Sequence, residues 1–487
     1  MEKIISTRIL LSGLTFIFAS LITGIAYSQA LQSDIDSKNT NKVSKQASVL
    51  DLQLSSLIKQ YGLTGKPRAE HPIPDIESPK AQLGMKLFYS KSLGGDKTTA
   101  CASCHHPMLG GGDNLSLSIG INAEHPEILG SARKKTGLKD PKVPRNAPTT
   151  FNIAFWKKVL FHDARIERIG KYDITTPDMP YPKADPLAGE TLVQAQARFP
   201  ITSVDEMRGE YLDESFNQTL RRALADRLKK NWLEEFRHGF SEPKGSADEL
   251  ITEQNYSEAI AAYERSQVFI NNPWKAYVEG DNNAISESAK IGALLFYTEQ
   301  NKGGADCASC HSGDFFTNEK AYNTAMPQIG VGKKSGITGS NDYGCSLVSK
   351  KENDKFRFRT PTLLNVEVTG PWGHDGAYTS LEGITKHMLS PAKSALNYRP
   401  QQLTQENISI KDLHKNTLEA VNAGIDLKAK DKINKDDIKH LASFLKTLTD
   451  PCVKDRACLS KWIPKETDND PDGMMLHAVD SKMGKHL

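Results

Sequence analysis

The sequence predicts a mainly α-helical fold that contains two copies of one unit. Apolar residues recur at helical spacing between the motifs, for example from Glu206 to Phe240, whereas the alternating pattern of β-strands is scarce. One segment is also repeated: Leu83-Gly-Met-Lys-Leu-Phe-Tyr-Ser90 returns as Ile291-Gly-Ala-Leu-Leu-Phe-Tyr-Thr298. Self-similarity of this kind indicates a duplicated unit, so we expect two domains of similar fold.

The first 30 residues have the pattern of a secretory signal peptide. Lys3 and Arg8 precede an apolar stretch from Ile9 to Ala26, and the small residues Ser28 and Ala30 suit a signal peptidase. The alternative is a membrane anchor, because the stretch approaches the length that spans a bilayer. We expect cleavage and export to a bacterial periplasm, with no stable membrane span afterwards.

Two C-x-x-C-H motifs follow, Cys101-Ala-Ser-Cys104-His105 and Cys307-Ala-Ser-Cys310-His311. Two thiols at this spacing form thioethers to the two vinyl groups of a haem, and the next His is then held under the iron as its axial ligand. The alternative for a C-x-x-C pair is a zinc site or a thioredoxin-like redox pair, but neither requires a His directly after both pairs. The sequence therefore predicts two covalently bound haem c groups.

The repeat continues beyond the motifs and sets the expected domains. The first copy contains Arg145-Asn-Ala-Pro-Thr-Thr-Phe-Asn152, followed by His162-Asp163. The second copy contains the similar segment Arg359-Thr-Pro-Thr-Leu-Leu-Asn365, followed by His374-Asp375. We expect two tandem cytochrome-c-like haem domains with the haems near their interface. The expected boundaries are a first domain at 31–280 with an insertion at about 166–195, a second domain at 281–460, and a flexible tail at 461–487.

Three of the 7 cysteines are left after haem attachment: Cys345, Cys452 and Cys458. Cys452 and Cys458 are close enough in an exported chain to form a local disulfide. Cys345 is then expected to be a buried free thiol. The formal net charge of +3 at pH 7 gives no reason to expect a nucleic-acid partner.

These residues together resemble the bacterial di-haem cytochrome c peroxidases and the related di-haem oxidases that mature methylamine dehydrogenase. The resemblance implies that the chain reduces hydrogen peroxide to water with electrons from a small redox protein such as a cytochrome c or a cupredoxin. It also allows a homodimer. Besides the haem motifs, the segments that carry it are Gly110-Gly-Gly-Asp-Asn-Leu115, Asn146-Ala-Pro148, Phe161-His-Asp-Ala-Arg165, Pro200 to Met207 and Gly370-Pro-Trp-Gly-His-Asp-Gly376.

The resemblance implies roles for residues at both haems. Glu206, six residues after Pro200, matches the acid–base carboxylate beside the peroxide-binding haem of the first domain. Met388, 14 residues after His374, matches the second axial ligand of the electron-receiving haem, with the neighbouring His387 as a competing ligand.

The family also holds a calcium ion at its domain interface, with an Asn side chain and backbone carbonyls as ligands. Asn146, Thr369 and Pro371 match those positions. Oxygen ligands of this kind suit calcium.

Two positions depart from the classical peroxidases. Ile121 stands 16 residues after His105, where those enzymes have a second His that caps the peroxide-binding iron. The first haem is therefore expected to be open, unless His125 acts as the cap. The second departure is His162, which replaces the family's Trp between the haems, with Trp156 as a possible substitute.

Two other functions stay open on the sequence. A maturation oxidase that oxidises Trp or Tyr of a partner protein shares nearly all these motifs, although its second haem has a Tyr ligand where Met388 stands here. A plain di-haem electron carrier would use neither an open iron nor Glu206.

Overall fold

The computed structural model describes residues 48–138, 140–213, 215–480 and 484–487, and the predicted signal peptide at 1–30 lies outside these residues. Helices dominate, which confirms the predicted mainly α class. Among the described residues, no helix combines the length and apolar character that a membrane span requires. The α-helices are α1 (Val49–Tyr61), α2 (Pro79–Tyr89), α3 (Leu192–Ala197), α4 (Asn217–Leu228), α5 (Leu233–Phe240), α6 (Ala247–Leu250), α7 (Glu253–Ser266), α8 (Pro273–Val278), α9 (Glu287–Tyr297), α10 (Ser346–Ser349), α11 (Leu381–Leu389), α12 (Pro391–Leu396), α13 (Leu413–Asn422), α14 (Lys435–Lys446) and α15 (Arg456–Leu459).

The strands are two or three residues long and form small sheets at the edges of the helices. One sheet has the order β1-β7-β8, with β1 and β7 parallel; a second has the order β2-β3-β4, and β5 pairs with β6, both antiparallel. The strands are β1 (Ile128–Leu129), β2 (Val159–Leu160), β3 (Ile166–Arg168), β4 (Ile174–Thr175), β5 (Ala321–Asn323), β6 (Arg357–Arg359), β7 (Val479–Asp480) and β8 (Lys485–His486).

Helices α2 and α7 cross at a glycine. Gly84 of α2 lies so close to α7 that a Cβ on it would stand 1.9 Å from the Ala259 carbonyl oxygen. The approach lets Phe88 and Tyr263 pack with their ring centroids 4.9 Å apart. Helix α2 starts at Pro79, which suits a first turn because its missing N–H would have no partner there.

Helices α9 and α14 repeat this crossing in the second half of the chain. A Cβ on Gly292 would stand 1.9 Å from the His440 carbonyl oxygen, and the Phe296 and Phe444 ring centroids are 5.2 Å apart. Asn434 caps α14 by accepting hydrogen bonds from the first-turn amides. The repeat seen in the sequence is therefore a repeat of one helix-packing unit, whereas the domain boundaries stay a prediction.

Each half of the chain contributes a buried arginine that bonds to the other half. Arg145 of the first half donates two hydrogen bonds to Asp342 of the second, at 2.6 and 2.8 Å, and forms an ion pair with Asp163 at 2.6 Å. Arg359 of the second half donates its backbone N–H to the His162 carbonyl and its Nε–H to the Phe161 carbonyl. Because buried charges need partners, these contacts fix the two halves against each other.

The expected insertion at 166–195 contributes β4 and is anchored by a network of buried charges. Arg198 pairs with Asp185 at 2.7 Å and with Glu253 at 2.5 Å. Arg221 of α4 pairs with Glu253 at 2.7 Å and with Asp178. The network therefore attaches the insertion to α4 and α7, above the first haem motif.

The expectation of a flexible tail at 461–487 is wrong for the described residues. Asp472 accepts hydrogen bonds from Ser92, Asn231 and Trp232, the last at 2.8 Å from the indole nitrogen. Leu476 is buried and donates its amide to the Tyr89 carbonyl at the end of α2. The acidic composition of the tail predicts exposure to solvent, but Asp472 accepts hydrogen bonds from the rest of the protein instead.

The cysteine predictions are confirmed. Cys452 and Cys458 form a disulfide, and Cys345 is a buried free thiol. The four motif cysteines are half-buried, and none of them is in a disulfide.

The glycine crossing makes a stability prediction. We expect Gly84→Ala to lower the free energy of unfolding by about 3 kcal/mol, because its Cβ would collide with backbone that cannot move aside. Gly383→Ala, in helix α11, is the matched control, since its Cβ would approach no backbone but only side-chain atoms, of which the nearest is the Ser380 hydroxyl. Denaturant unfolding of both variants checks this, and equal stability of G84A and G383A would contradict it.

Candidate active site

The first C-x-x-C-H motif forms a tight turn that holds its histidine in one tautomer. The amide of His105 donates to the Cys101 carbonyl, and Ser103 steadies the turn by accepting from the amide of Ala100. The His105 Nδ1–H donates to the Gly111 carbonyl at 3.2 Å. Burial lowers the pKa of His105. A neutral ring with Nδ1 donating presents Nε2 as a metal ligand.

The second motif repeats this arrangement. The amide of His311 donates to the Cys307 carbonyl, and its Nδ1–H donates to the Phe316 carbonyl at 3.0 Å. Burial lowers the pKa of His311 to about 4, so the ring is neutral. Each motif therefore offers two thiols and one imidazole Nε2, the donor set that a haem c requires.

A cavity lies against the first motif. Its lining includes Cys101, Cys104 and His105, and residues from both halves of the chain complete its wall. The donor set of the lining fits a haem. The polar and charged residues of the lining are His105, Ser118, Arg145, Asn146, Thr149, Thr150, His162, Arg165, Gln196, Glu206, Glu264, Lys333 and Arg359.

Glu206 and Pro200 line this cavity together, as the sequence predicts. Pro200 begins a short turn, and Glu206 lies in the following π-helical turn, Val204–Arg208. Gly120 packs beneath that turn, where a Cβ would stand 2.3 Å from the Glu206 carbonyl oxygen. Burial raises the pKa of the Glu206 carboxyl, while the positive charges of Arg165 and Lys333 oppose that rise. A buried carboxyl of this kind is suited to exchange protons inside the cavity.

Ile121 and His125 do not line the cavity. Ile121 is buried beside Gly209, with its Cδ1 3.8 Å from where a Cβ on that glycine would stand. His125 is exposed. His162 does line the cavity, but its Nε2–H donates to the Asn146 carbonyl at 3.0 Å, and burial lowers its pKa to about 3.

Trp156 is buried between the first cavity and the second motif. Its ring meets Phe315 edge-on with centroids 5.2 Å apart, and Phe315 lies four residues after His311. The Arg359 guanidinium stacks 3.6 Å from the Trp156 ring. The relay role considered for Trp156 stays a prediction.

Met388 and His387 lie on α11, which packs against α14 of the second helix pair. Both nitrogens of His387 are engaged: Nδ1 with the Tyr378 hydroxyl at 2.8 Å and Nε2 with the Thr324 carbonyl at 2.9 Å. A histidine held in this way cannot also bind iron. Met388 is only partly buried and remains the candidate ligand of the second haem.

Comparison with known proteins finds a matching family model and several relatives. The family model described as "Di-haem cytochrome c peroxidase" matches residues 78–283. Methylamine utilization protein MauG of Methylophilus methylotrophus is 28% identical over 69% of this chain and 80% of its own length. The cytochrome c551 peroxidase of Pseudomonas aeruginosa is 27% identical over 69% of this chain and 78% of its own length.

The chain is similar to the di-haem cytochrome c peroxidases over the residues that the family model matches. Solved structures agree on the fold. A MauG-like protein associated with microbial copper homeostasis aligns with a TM-score of 0.51 and 21% identity, over 80% of this chain and 97% of that one. The diheme peroxidase BthA from Burkholderia thailandensis aligns with a TM-score of 0.50 and 18% identity, over 84% of this chain and 98% of that one. Two haem c groups remain what the two C-x-x-C-H motifs predict.

The segments that carry the expected calcium ligands are joined by contacts between sequence-distant turns. Asn146 donates its side-chain amide to the Leu115 carbonyl and its backbone amide to the His374 carbonyl. A Cβ on Gly110 would meet the Val368 carbonyl, next to Thr369. Among the described residues no group of three or more His, Cys, Asp or Glu side chains could hold a metal ion. The predicted calcium site would instead use an Asn side chain and backbone carbonyls. Its expected ligands, Asn146, Thr369 and Pro371, remain a prediction.

Sequence reasoning missed Glu264. It lies on α7, lines the cavity and is fully enclosed, with no hydrogen-bond partner for Oε2. Burial raises its pKa to about 8. Tyr263 packs against Gly84 as Phe444 packs against Gly292, so the two residues are equivalent in the two units. Glu264 therefore corresponds to Leu445 in the second unit. A sequence alignment of the two repeats that extended to the segments of α7 and α14 would have shown this difference.

Glu264 makes stability depend on pH. Its carboxyl stays protonated in the folded chain up to about pH 8 but ionises near 4.5 when unfolded, so its contribution to stability is full below pH 4.5 and is lost as the pH rises to 8. We expect Glu264→Gln to gain stability over the native chain by about 1.4 kcal/mol per pH unit across that range.

Thermal unfolding of both chains at pH 5 and pH 8 checks this expectation. Glu258→Gln, on the accessible face of the same helix, controls for the loss of a helix charge. A Gln-minus-Glu difference at position 264 that does not change with pH would contradict the expectation.

Proposed function

We propose that this protein is a periplasmic peroxidase that reduces hydrogen peroxide to water at the first haem, with electrons from a small cytochrome c or cupredoxin. One observation carries the proposal: Glu206 and Pro200 line the same cavity as Cys101, Cys104 and His105. An acid–base carboxyl and an axial imidazole on one cavity are what peroxide cleavage needs.

When bound, the first haem supplies the iron that holds peroxide and delivers electrons to it. The chain supplies the proton transfers. Glu206 would take a proton from one oxygen of the peroxide and give it to the other, which would then leave as water. Burial raises the pKa of Glu206 and thereby strengthens it as a base. His105, held by the Gly111 carbonyl, keeps its ring fixed throughout.

We expect the first haem to accept peroxide without prior reduction. Ile121 replaces the capping His, His125 is exposed, and His162 is tied to a backbone carbonyl. Met207 also lines the cavity and is the remaining candidate for a cap. Met388 would hold the second haem together with His311, and that haem would supply the entry point for the donor's electrons.

Export is supported by the Cys452–Cys458 disulfide, because such bonds persist in oxidising compartments. The predicted signal peptide at 1–30 agrees with it. A homodimer is part of the proposal only as an expectation, and size-exclusion chromatography with light scattering tests it.

A maturation oxidase is the second candidate. Two observations favour it: MauG proteins are among the relatives, and Ile121 gives the open haem that such an oxidase uses. Met388 favours the peroxidase. The candidates differ in the fate of the oxidising equivalents. A peroxidase passes them to a reduced donor cytochrome, whereas a maturation oxidase passes them to Trp or Tyr of a partner protein.

The carboxyl at position 206 gives a direct test. We expect Glu206→Gln to slow peroxide turnover on the order of 10²–10⁴-fold, because the amide cannot carry the proton. Haem content is expected to stay normal. Asp205→Asn, the adjacent carboxylate, which does not line the cavity, is the matched control. Stopped-flow oxidation of a reduced donor cytochrome measures turnover, and an E206Q enzyme as fast as D205N would exclude the role.

The ligation of the two haems gives a second test. We expect the electron paramagnetic resonance spectrum of the oxidised protein to contain one high-spin and one low-spin signal, and peroxide to react without added reductant. Met388→Ala should alter only the low-spin signal. Two low-spin signals and no reaction before one-electron reduction would show that the first iron is capped. Cyanide binding at neither haem would instead indicate an electron carrier.

A further inference from the structure

The cavity at the first motif is lined by more positive than negative charge. Arg145 is neutralised by Asp163 and Asp342, and Arg165 shares Asp163. The other lining cations are Lys333 and Arg359, and neither has an ion pair with a carboxylate among the described residues. The acidic residues of the lining, Glu206 and Glu264, are driven towards their neutral forms because burial raises the pKa of each. Two cations are therefore left without counter-ions.

Arg359 is held rigidly but incompletely bonded. Its side chain is 8% exposed, its Nε–H donates to the Phe161 carbonyl at 3.0 Å, and its guanidinium stacks on Trp156. Its Nη1 is buried with no hydrogen-bond partner. Burial lowers the pKa of Arg359 to about 10, although the charge of Glu319 opposes the shift. A buried guanidinium N–H without an acceptor is costly, so an acceptor is missing from this site.

Lys333 reaches the same cavity from a constrained loop. Its amide donates to the Asn341 carbonyl at 2.9 Å, and Gly332 before it has φ +58°, with a Cβ there 2.2 Å from the Ser340 carbonyl oxygen. Burial, with Arg145 and Arg165 nearby, lowers the pKa of Lys333, and the more weakly acting carboxylates Asp163 and Asp342 oppose that shift. No carboxylate among the described residues forms an ion pair with the Lys333 ammonium.

Lys333 and Arg359 line the same cavity as the motif thiols Cys101 and Cys104. A haem c attached to those thiols carries two propionates, on the edge of the porphyrin opposite the thioether bonds. Two carboxylates match in number the two lining cations that have no ion pair.

We infer that Lys333 and Arg359, both from the second half of the chain, bind the two propionates of the first haem. This inference rests on the proposed attachment of haem at the first motif, but not on peroxide being the substrate. The second half thereby completes the first haem site. A positive charge at each propionate also disfavours loss of an electron from the iron, and so raises its reduction potential.

The test compares holoprotein variants with matched neighbours. Lys333→Met is paired with Lys334→Met, whose side chain is exposed, and Arg359→Met with Arg357→Met, on the same strand but paired with Asp426 at the surface. Resonance Raman spectra report the propionate bending bands, and a redox titration reports the potential of each haem. Because Arg359 is buried, Arg359→Lys is included as a charge-retaining variant.

We expect K333M to shift the propionate band and lower the potential of one haem only, and K334M and R357M to leave both unchanged. R359K should keep more of the native potential than R359M. Unchanged bands and potentials in K333M would overturn the inference, even if R359M fails to fold. Peroxide turnover of the native holoprotein is measured separately. If the native protein turns over peroxide but K333M leaves the propionate bands unshifted, only the propionate contacts are refuted. If K333M shifts the bands but the native protein does not turn over peroxide, only the proposed function is refuted.

Discussion

The ion triplet of Arg145 with Asp163 and Asp342 is the interaction on which the rest of the site depends. The three groups are buried, and their mutual attraction lowers the pKa of both carboxyls and raises that of the guanidinium. Such a triplet is costly to desolvate and is stable only with close, well-directed contacts. It therefore fixes the loop of residue 145 against that of residue 342, and with it the wall of the cavity that both halves share.

The triplet also sets the charge around Glu206. Asp163 is divided between Arg145 and Arg165, so Arg165 is only partly neutralised beside the catalytic candidate. Lys333 adds a second positive charge. Both favour the ionised carboxyl, while burial favours the protonated one. These opposing effects are suited to a group that must both accept and return a proton.

One helix-packing unit has been used twice for two different haem environments. Both units share the glycine crossing and the tight C-x-x-C-H turn whose histidine donates Nδ1–H to a carbonyl. They differ in the groups around those shared parts. Glu264 faces the first cavity where Leu445 stands in the second unit, and Met388 is a candidate ligand only in the second. The common parts attach a haem, and the differing parts decide what each haem can do.

The sequence by itself determined the covalent chemistry and the repeat. The motif cysteines and histidines, the helical class and the Cys452–Cys458 disulfide follow from local spacing, because each depends on residues close together in the chain. Pro200 and Glu206 came from the family resemblance, and both line the first cavity. Local composition misled at the tail, where Asp472 looked solvated but bonds to Trp232.

Only the tertiary structure decided which distant residues share the first cavity. Lys333 and Arg359 lie more than 200 residues from His105 in sequence, and no spacing rule connects them. The exclusion of His387 as a ligand likewise required its hydrogen bonds to Tyr378 and Thr324. Charge balance and hydrogen-bond satisfaction are properties of a closed volume, and the sequence does not show which groups enclose it.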